Sequence, residues 1–133
     1  MNFEPVGVDS KGQMYMKFHR PFNVVEKIQL LQRWIMVASV AYYDFDGNFI
    51  EDYKYDANAR QLVDLMNKYP EEATRSRYHK YFYDYTGETG YHLSSRVERD
   101  DSDLYRHIRM DAIWALDLKS KYGNTYTGDR KGE

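Results

Sequence analysis

The stretch that decides the fold is NVVEKIQLLQRWIMVASVAYYDFDGNFIEDYKYDANARQLVDLMNKYP, residues 23–70. Asn23 and Glu26, three residues apart, form a capping-box pattern, in which each side chain accepts a hydrogen bond from the other residue's backbone N–H. Apolar residues then recur at steps of four and three and share one helix face: Val24, Ile28, Leu31, Ile35, Ala38 and Tyr42. The pattern predicts a helix over 23–43, ended by the turn-forming residues of 44–48.

A second helix is predicted after a link of eight residues, 44–51. Asp52 is a good N-cap residue, and Pro70 cannot continue a helical hydrogen-bond ladder. Between them the same four-three spacing recurs, in Tyr55, Ala59, Leu62, Met66 and Tyr69. The two segments therefore predict a helical hairpin made of helices 23–43 and 52–68.

The rest of the chain adds one clear helix and one ambiguous stretch. Asp101 or Ser102 caps a helix predicted over 102–122, with Gly123 at its end. Its apolar side consists of Leu104, Ile108, Ala112, Ala115 and Leu116. The stretch 71–97 fits two alternatives: a helix over 73–82, or strands over 81–85 and 91–97 joined by a turn at 86–90.

The N-terminus shows a short strand-like alternation. Met14, Met16 and Phe18 alternate with Tyr15 and Lys17, which predicts an optional small β-hairpin with Pro5–Val8. The fold class predicted is mainly α: a helical hairpin, a long C-terminal helix and this optional β-hairpin. We expect one domain over 1–123 and a flexible polar tail over 124–133.

Composition excludes several classes of protein. The chain has 133 residues, of which 42% are hydrophobic and 30% charged, as in a single folded domain. It contains no cysteine, and its four histidines lack metal-ligand spacing, so no metal is expected. No secretory signal or membrane span is evident, which predicts a cytoplasmic protein without membrane contact.

The charge balance argues against bulk binding of nucleic acid. Nineteen Lys and Arg against 21 Asp and Glu give a net charge of −2, whereas nucleic-acid affinity depends on cations. Residues 75–83 mix cations with aromatic rings, a composition that can stack single-stranded bases. Packing of those aromatic rings in the core is the favoured interpretation.

A candidate binding site lies in AYYDFDGNFIEDYKYD, residues 41–56. Tyr42 and Tyr43 end the first predicted helix, and Asp52, Tyr55 and Asp56 begin the second, so a helical hairpin brings them together. Aromatic faces with nearby carboxylates suit a flat cationic heterocycle such as a nicotinamide riboside. On pattern alone, a structural role is favoured, with Tyr42 and Tyr55 in the core and Asp52 as a helix cap.

The run 26–72 resembles the N-terminal NMN-binding subdomain, Ia, of bacterial NAD-dependent DNA ligases. That family has a helix ending in Tyr-His, a short loop with Asp, an Ile-x-Asp-x-x-Tyr-Asp signature, a Leu-rich helix and a Tyr/His-Pro-Glu ending. The residues that match here are Tyr42, Asp46, Ile50, Asp52, Tyr55, Asp56 and Tyr69-Pro70-Glu71. The chain departs from the family at Tyr43, which stands in place of the histidine that contacts ribose and phosphate.

This resemblance implies NMN or NAD as the ligand. Tyr42 and Tyr55 would flank the nicotinamide ring, and Asp52 and Asp56 would accept hydrogen bonds from the carboxamide or the ribose. Tyr43 would occupy the histidine position.

The resemblance does not extend to catalysis. The adenylation lysine of these ligases lies in a Lys-x-Asp-Gly motif, and the near match that begins at Lys54 has Ala57 in place of glycine. The chain looks like the small stand-alone ligase-related proteins of bacteriophages and prophages. We therefore expect a non-catalytic binding module for a nicotinamide nucleotide. The alternative is a phage accessory or counter-defence protein that acts by protein–protein interaction with a host factor.

Overall fold

The computed structural model describes residues 6–8, 14–16, 23–50, 52–87 and 90–122, with backbone alone at 6–8, 14–16, 52 and 118–122. Pro5, Phe18, Gly123 and the predicted tail at 124–133 lie outside the described residues. Within them the protein is mainly α-helical, as predicted. Two short strands, β1 (Val6–Val8) and β2 (Met14–Met16), pair antiparallel with Val6 opposite Met16, which confirms the optional β-hairpin.

The first helix, α1, spans Val24–Phe45, and it ends two residues later than predicted. Its capping box is complete, because the Glu26 N–H donates to Asn23 and the Asn23 N–H donates to Glu26. Every residue from Trp34 to Ala41 is buried, so this half of the helix is surrounded rather than packed on one face. α1 is therefore the central helix of the domain.

The second helix, α2, spans Asp52–Lys68, and a short helix α3 spans Pro70–Arg75. Pro70 ends α2 and also begins α3, where proline is tolerated because the first helical N–H has no intrahelical partner. Both helices pack against α1. The predicted helical hairpin of α1 and α2 is confirmed.

The ambiguous stretch is helical, and the strand alternative for 81–85 and 91–97 is wrong. It forms α4 (His79–Phe82) and α5 (Tyr91–Asp100), so the single helix considered over 73–82 is divided by residues 76–78. The neighbouring residues Tyr81 and Phe82 are both buried, and Tyr83 is exposed. Two successive buried residues followed by an exposed one do not fit the alternation of a half-buried strand, in which neighbours point to opposite faces.

The last helix, α6, spans Ser102–Tyr122 and packs along α1 and α5. The Asp101 carboxylate caps it by accepting the Leu104 N–H at 3.0 Å. Arg33 of α1 donates to Asp111 of α6 at 2.7 Å and to the Tyr78 hydroxyl at 3.2 Å. This ion pair fixes α6 against α1, since Asp111 is buried.

Candidate functional site

A cavity of about 140 Å³ lies between the end of α1, the loop 46–50, α2 and the residue before α5. A cavity of about 150 Å³ admits one benzene molecule, so this one has the size of a single six-membered ring. None of its lining residues is charged, and aromatic rings supply much of the wall: Tyr42, Tyr43, Phe49 and Tyr55. The others are small, aliphatic or polar: Ala38, Ser39, Gly47, Asn48, Ile50 and Gly90.

The end of α1 is fixed by its own cap and by α6. The N–H groups of Asp46 and Gly47 both donate to the Ala41 carbonyl, with Asp46 in the left-handed conformation at φ 53°. The Asp44 carboxylate accepts the Tyr105 hydroxyl and lies 3.5 Å from the Arg109 guanidinium. These contacts hold the last turn of α1 in place at the cavity.

The loop after α1 is pinned by buried side chains. Phe49 is buried and meets the Trp34 ring edge-on, with centroids 5.5 Å apart. A Cβ on Gly47 would lie 2.7 Å from a Leu116 methyl carbon, so the loop approaches α6 as closely as glycine allows. The Ile50 N–H donates to the Asn48 side chain at 3.2 Å. The cavity wall contributed by this loop is therefore preformed.

An aromatic cluster forms the rim of the cavity. The Tyr43 ring meets Tyr42 edge-on with centroids 4.8 Å apart, and meets Tyr91 at 5.4 Å. Tyr91 in turn lies 5.1 Å from the His92 ring. Tyr42 is 57% exposed and Tyr43 37% exposed. The structural interpretation of Tyr42 as a core residue is therefore wrong, since most of its side chain remains open to solvent.

Tyr55 lies deeper, where α2 faces α1. Its hydroxyl oxygen is 3.4 Å from that of Tyr85. Burial raises the pKa of Tyr85 well above its ordinary value, and the neighbouring Tyr55 and Asp56 raise it further. The Tyr85 hydroxyl therefore stays protonated, and either hydroxyl can be the donor in this contact.

Two cavity residues escaped the sequence analysis. Ser39 is 2% exposed, and its hydroxyl makes no hydrogen bond within the described part of the chain. The missed signal was its position three residues before Tyr42, on the same face of α1. Gly90 lies beside it, since a Cβ on Gly90 would be 2.0 Å from the Ser39 Oγ and 3.2 Å from the Tyr55 hydroxyl. No sequence pattern indicated that Gly90 reaches this site.

The cavity lies mostly in a segment with a recognisable family. Residues 22–76 match the family model of the DNA ligase-like N-terminal NAD+-binding domain. The match confirms the resemblance to ligase subdomain Ia over this ligase-like segment, which is less than half of the chain and ends before Gly90. No curated protein and no solved structure matches the chain.

Within the ligase-like segment, the structure brings together only part of the predicted site. Tyr42, Tyr43 and Tyr55 all line the cavity, so the ends of α1 and α2 face each other as expected. Asp56 is exposed and does not line it. Asp52 is the first residue of α2, and its side chain lies outside the described residues.

Among the described residues, no group of three or more His, Asp or Glu side chains could hold a metal ion. None of the helices in the described ranges combines the length and apolar character needed to cross a membrane. The cavity is thus an uncharged, aromatic-lined space of single-ring size.

Proposed function

We propose that the chain is a non-catalytic binding module for a nicotinamide nucleotide, NMN or NAD. The observation that carries the proposal is the aromatic cavity of about 140 Å³ between the ends of α1 and α2. It lies largely within the segment that matches an NAD+-binding family. The nicotinamide ring is planar and, in the oxidised form, cationic, so tyrosine faces favour it.

The cavity suits the ring and leaves the rest of the nucleotide outside. Its volume accommodates one ring, and its rim at Tyr42 is open to solvent. The ribose and phosphate would therefore lie over the rim. Asp56 is exposed and near Tyr85, where its carboxylate can accept a hydrogen bond from a ribose hydroxyl.

The departure at Tyr43 alters how the phosphate is held. The Tyr43 ring packs edge-on between Tyr42 and Tyr91, and it carries no positive charge with which to bind phosphate. We therefore expect the nicotinamide riboside part of the ligand to contribute most of the affinity.

The proposal that no adenylation occurs rests on Lys54. Forming a phosphoramidate requires a lysine positioned at the α-phosphate beside groups that bind it. Lys54 is the lysine that begins the near match to the ligase adenylation motif, and it does not line the cavity. Binding without covalent chemistry is the activity that the described residues support.

Isothermal titration calorimetry with NMN and NAD tests the binding proposal. Tyr55→Ala should weaken NMN binding about tenfold or more, since a stacked aromatic contributes about 1–3 kcal/mol. Tyr53→Ala is the matched control, because Tyr53 is on the same helix but 63% exposed and outside the cavity. Asp56→Asn should weaken binding less than Tyr55→Ala. The absence of saturable heat at millimolar NMN would contradict the proposal.

One observation favours the alternative, a protein-interaction role. Met110, Ile113 and Trp114 are large apolar residues that lie exposed on neighbouring positions of α6. Exposed apolar side chains of this kind occur at interfaces. If NMN and NAD both fail to bind, replacement of these three residues by serine is the next test, with self-association measured by sedimentation.

A further inference from the structure

We infer that the Ser39 hydroxyl recognises the carboxamide of the ligand by a hydrogen bond. The site would then bind nicotinamide nucleotides and discriminate against the corresponding nicotinic acid nucleotides. This inference rests on the proposed function and specifies the ligand class. It is carried by a buried hydroxyl that has no hydrogen bond in the described part of the chain, at the wall of a cavity of single-ring size.

An unsatisfied buried hydroxyl is unusual enough to need an explanation. Such groups are nearly always hydrogen-bonded, because burying one without a partner is unfavourable. Ser39 is the one polar residue in the buried run from Trp34 to Ala41. Alanine would fill the same space without that penalty, so a ligand partner accounts for the hydroxyl.

Gly90 packs its backbone against both hydroxyl groups of this part of the cavity wall. The Ser39 Oγ and the Tyr55 hydroxyl both lie close to the point that a Cβ on Gly90 would occupy, at 2.0 and 3.2 Å. The Ser39 Oγ fills that space, so only glycine at position 90 lets the backbone before α5 come this close to both hydroxyl groups. Gly90 lies outside the ligase-like segment, so the cavity wall beside these hydroxyl groups is completed by a later part of the chain.

Two hydroxyl groups match the polar atoms of a primary carboxamide. The Ser39 hydroxyl can donate to the carboxamide oxygen, and the Tyr55 oxygen can accept from the carboxamide NH2. Ser39 lines the cavity, and its hydroxyl hydrogen can turn about the Cβ–Oγ bond to meet an acceptor there. When the Tyr55 hydroxyl donates to Tyr85, 3.4 Å away, both lone pairs of the Tyr55 oxygen are left to accept.

A carboxylate at the same place would lack compensation. No lining residue of the cavity is charged, and a buried carboxylate without a cation or several donors is strongly disfavoured. The cavity therefore discriminates against nicotinic acid mononucleotide, which differs from NMN in having a carboxylate in place of the carboxamide.

The test is a pair of calorimetric titrations, with NMN and with nicotinic acid mononucleotide, of the unmodified chain, Ser39→Ala and Ser95→Ala. Ser95 is an exposed serine on α5 and serves as the matched control. The unmodified chain should prefer NMN at least tenfold. Ser39→Ala should lose about 3- to 10-fold in NMN affinity, the usual range for one hydrogen bond, with little change for the acid.

Thermal unfolding of the same variants separates ligand recognition from a structural role. Removing an unsatisfied buried hydroxyl should leave the melting temperature of the free Ser39→Ala chain unchanged or raise it by a few degrees. Weaker NMN binding by a more stable protein would support the inference. Unchanged NMN affinity and preference in Ser39→Ala would overturn it while leaving the proposed function intact. Failure of the unmodified chain to bind either nucleotide would overturn both.

Discussion

Replacing Gly90 by alanine probes how closely α5 approaches α1, the contact that completes the cavity. At Gly90, φ is −98° and ψ is 15°, a conformation that alanine can adopt. The cost of Gly90→Ala is therefore steric, from a Cβ placed 2.0 Å from the Ser39 Oγ and 3.0 Å from the Ser39 Cβ. Overpacking of this kind costs about 1–3 kcal/mol. For a chain of this size, that lowers the melting temperature by roughly 4–12 °C.

A double-mutant cycle assigns this cost to the Ser39 hydroxyl. Ser39→Ala removes the atom at 2.0 Å and leaves the milder contacts, with the Ser39 Cβ at 3.0 Å and the Tyr55 hydroxyl at 3.2 Å. We therefore expect Gly90→Ala to cost at least about 0.5–1 kcal/mol less in the Ser39→Ala background. Urea unfolding followed by circular dichroism at equilibrium measures all four proteins. An equal penalty in both backgrounds, or no penalty in either, would refute the placement of Gly90 against Ser39.

Three further predictions concern the packing and chemistry of the domain. The free energy of unfolding should fall as pH rises above about 10, the ordinary tyrosine pKa. Burial raises the pKa of Tyr81 and Tyr85, so the folded chain keeps protons that the unfolded chain releases. Denaturant unfolding between pH 8 and 11 measures this loss, which Tyr85→Phe should reduce. Asp111→Ala should destabilise the fold by about 3 kcal/mol, because it leaves the Arg33 guanidinium without its carboxylate partner at 2.7 Å. A loss under 1 kcal/mol in urea unfolding would show that this ion pair contributes little. Intact mass spectrometry after incubation with NAD or ATP should show no AMP adduct, and an adduct on Lys54 would contradict the non-catalytic account.

The helical hairpin was predictable because its signals are local. Asn23 and Glu26 cap α1 through contacts three residues apart. Proline interrupts the hydrogen bonds of a helix in any sequence context, so Pro70 predicts the end of α2. The strand alternative at 81–85 arose because aromatic residues favour strands and alternation over five residues is a weak signal. In the structure Tyr81 and Phe82 lie in the helix α4, and both are buried. That packing depends on residues distant in sequence, which a short pattern cannot show.

Only the part of the candidate site formed by the tyrosines at the end of α1 and the start of α2 was predictable from the sequence. Tyr42, Tyr43 and Tyr55 were identified from hairpin geometry and family resemblance, and all three line the cavity. Ser39 and Gly90 were missed because their roles depend on the approach of α5 to α1, about fifty residues apart in the chain. Short-range spacing contains no information about such a contact.

The most direct test of the central claim is to locate the nicotinamide ring on the protein by NMR. In a nuclear Overhauser experiment on the chain saturated with NMN, ring protons of nicotinamide should show contacts to the ring protons of Tyr43 and Tyr55 and to the Ile50 methyl groups. Tyr→Phe variants assign the tyrosine signals. Contacts confined to a distant tyrosine such as Tyr83, or no contacts at millimolar NMN, would contradict a nicotinamide site between α1 and α2.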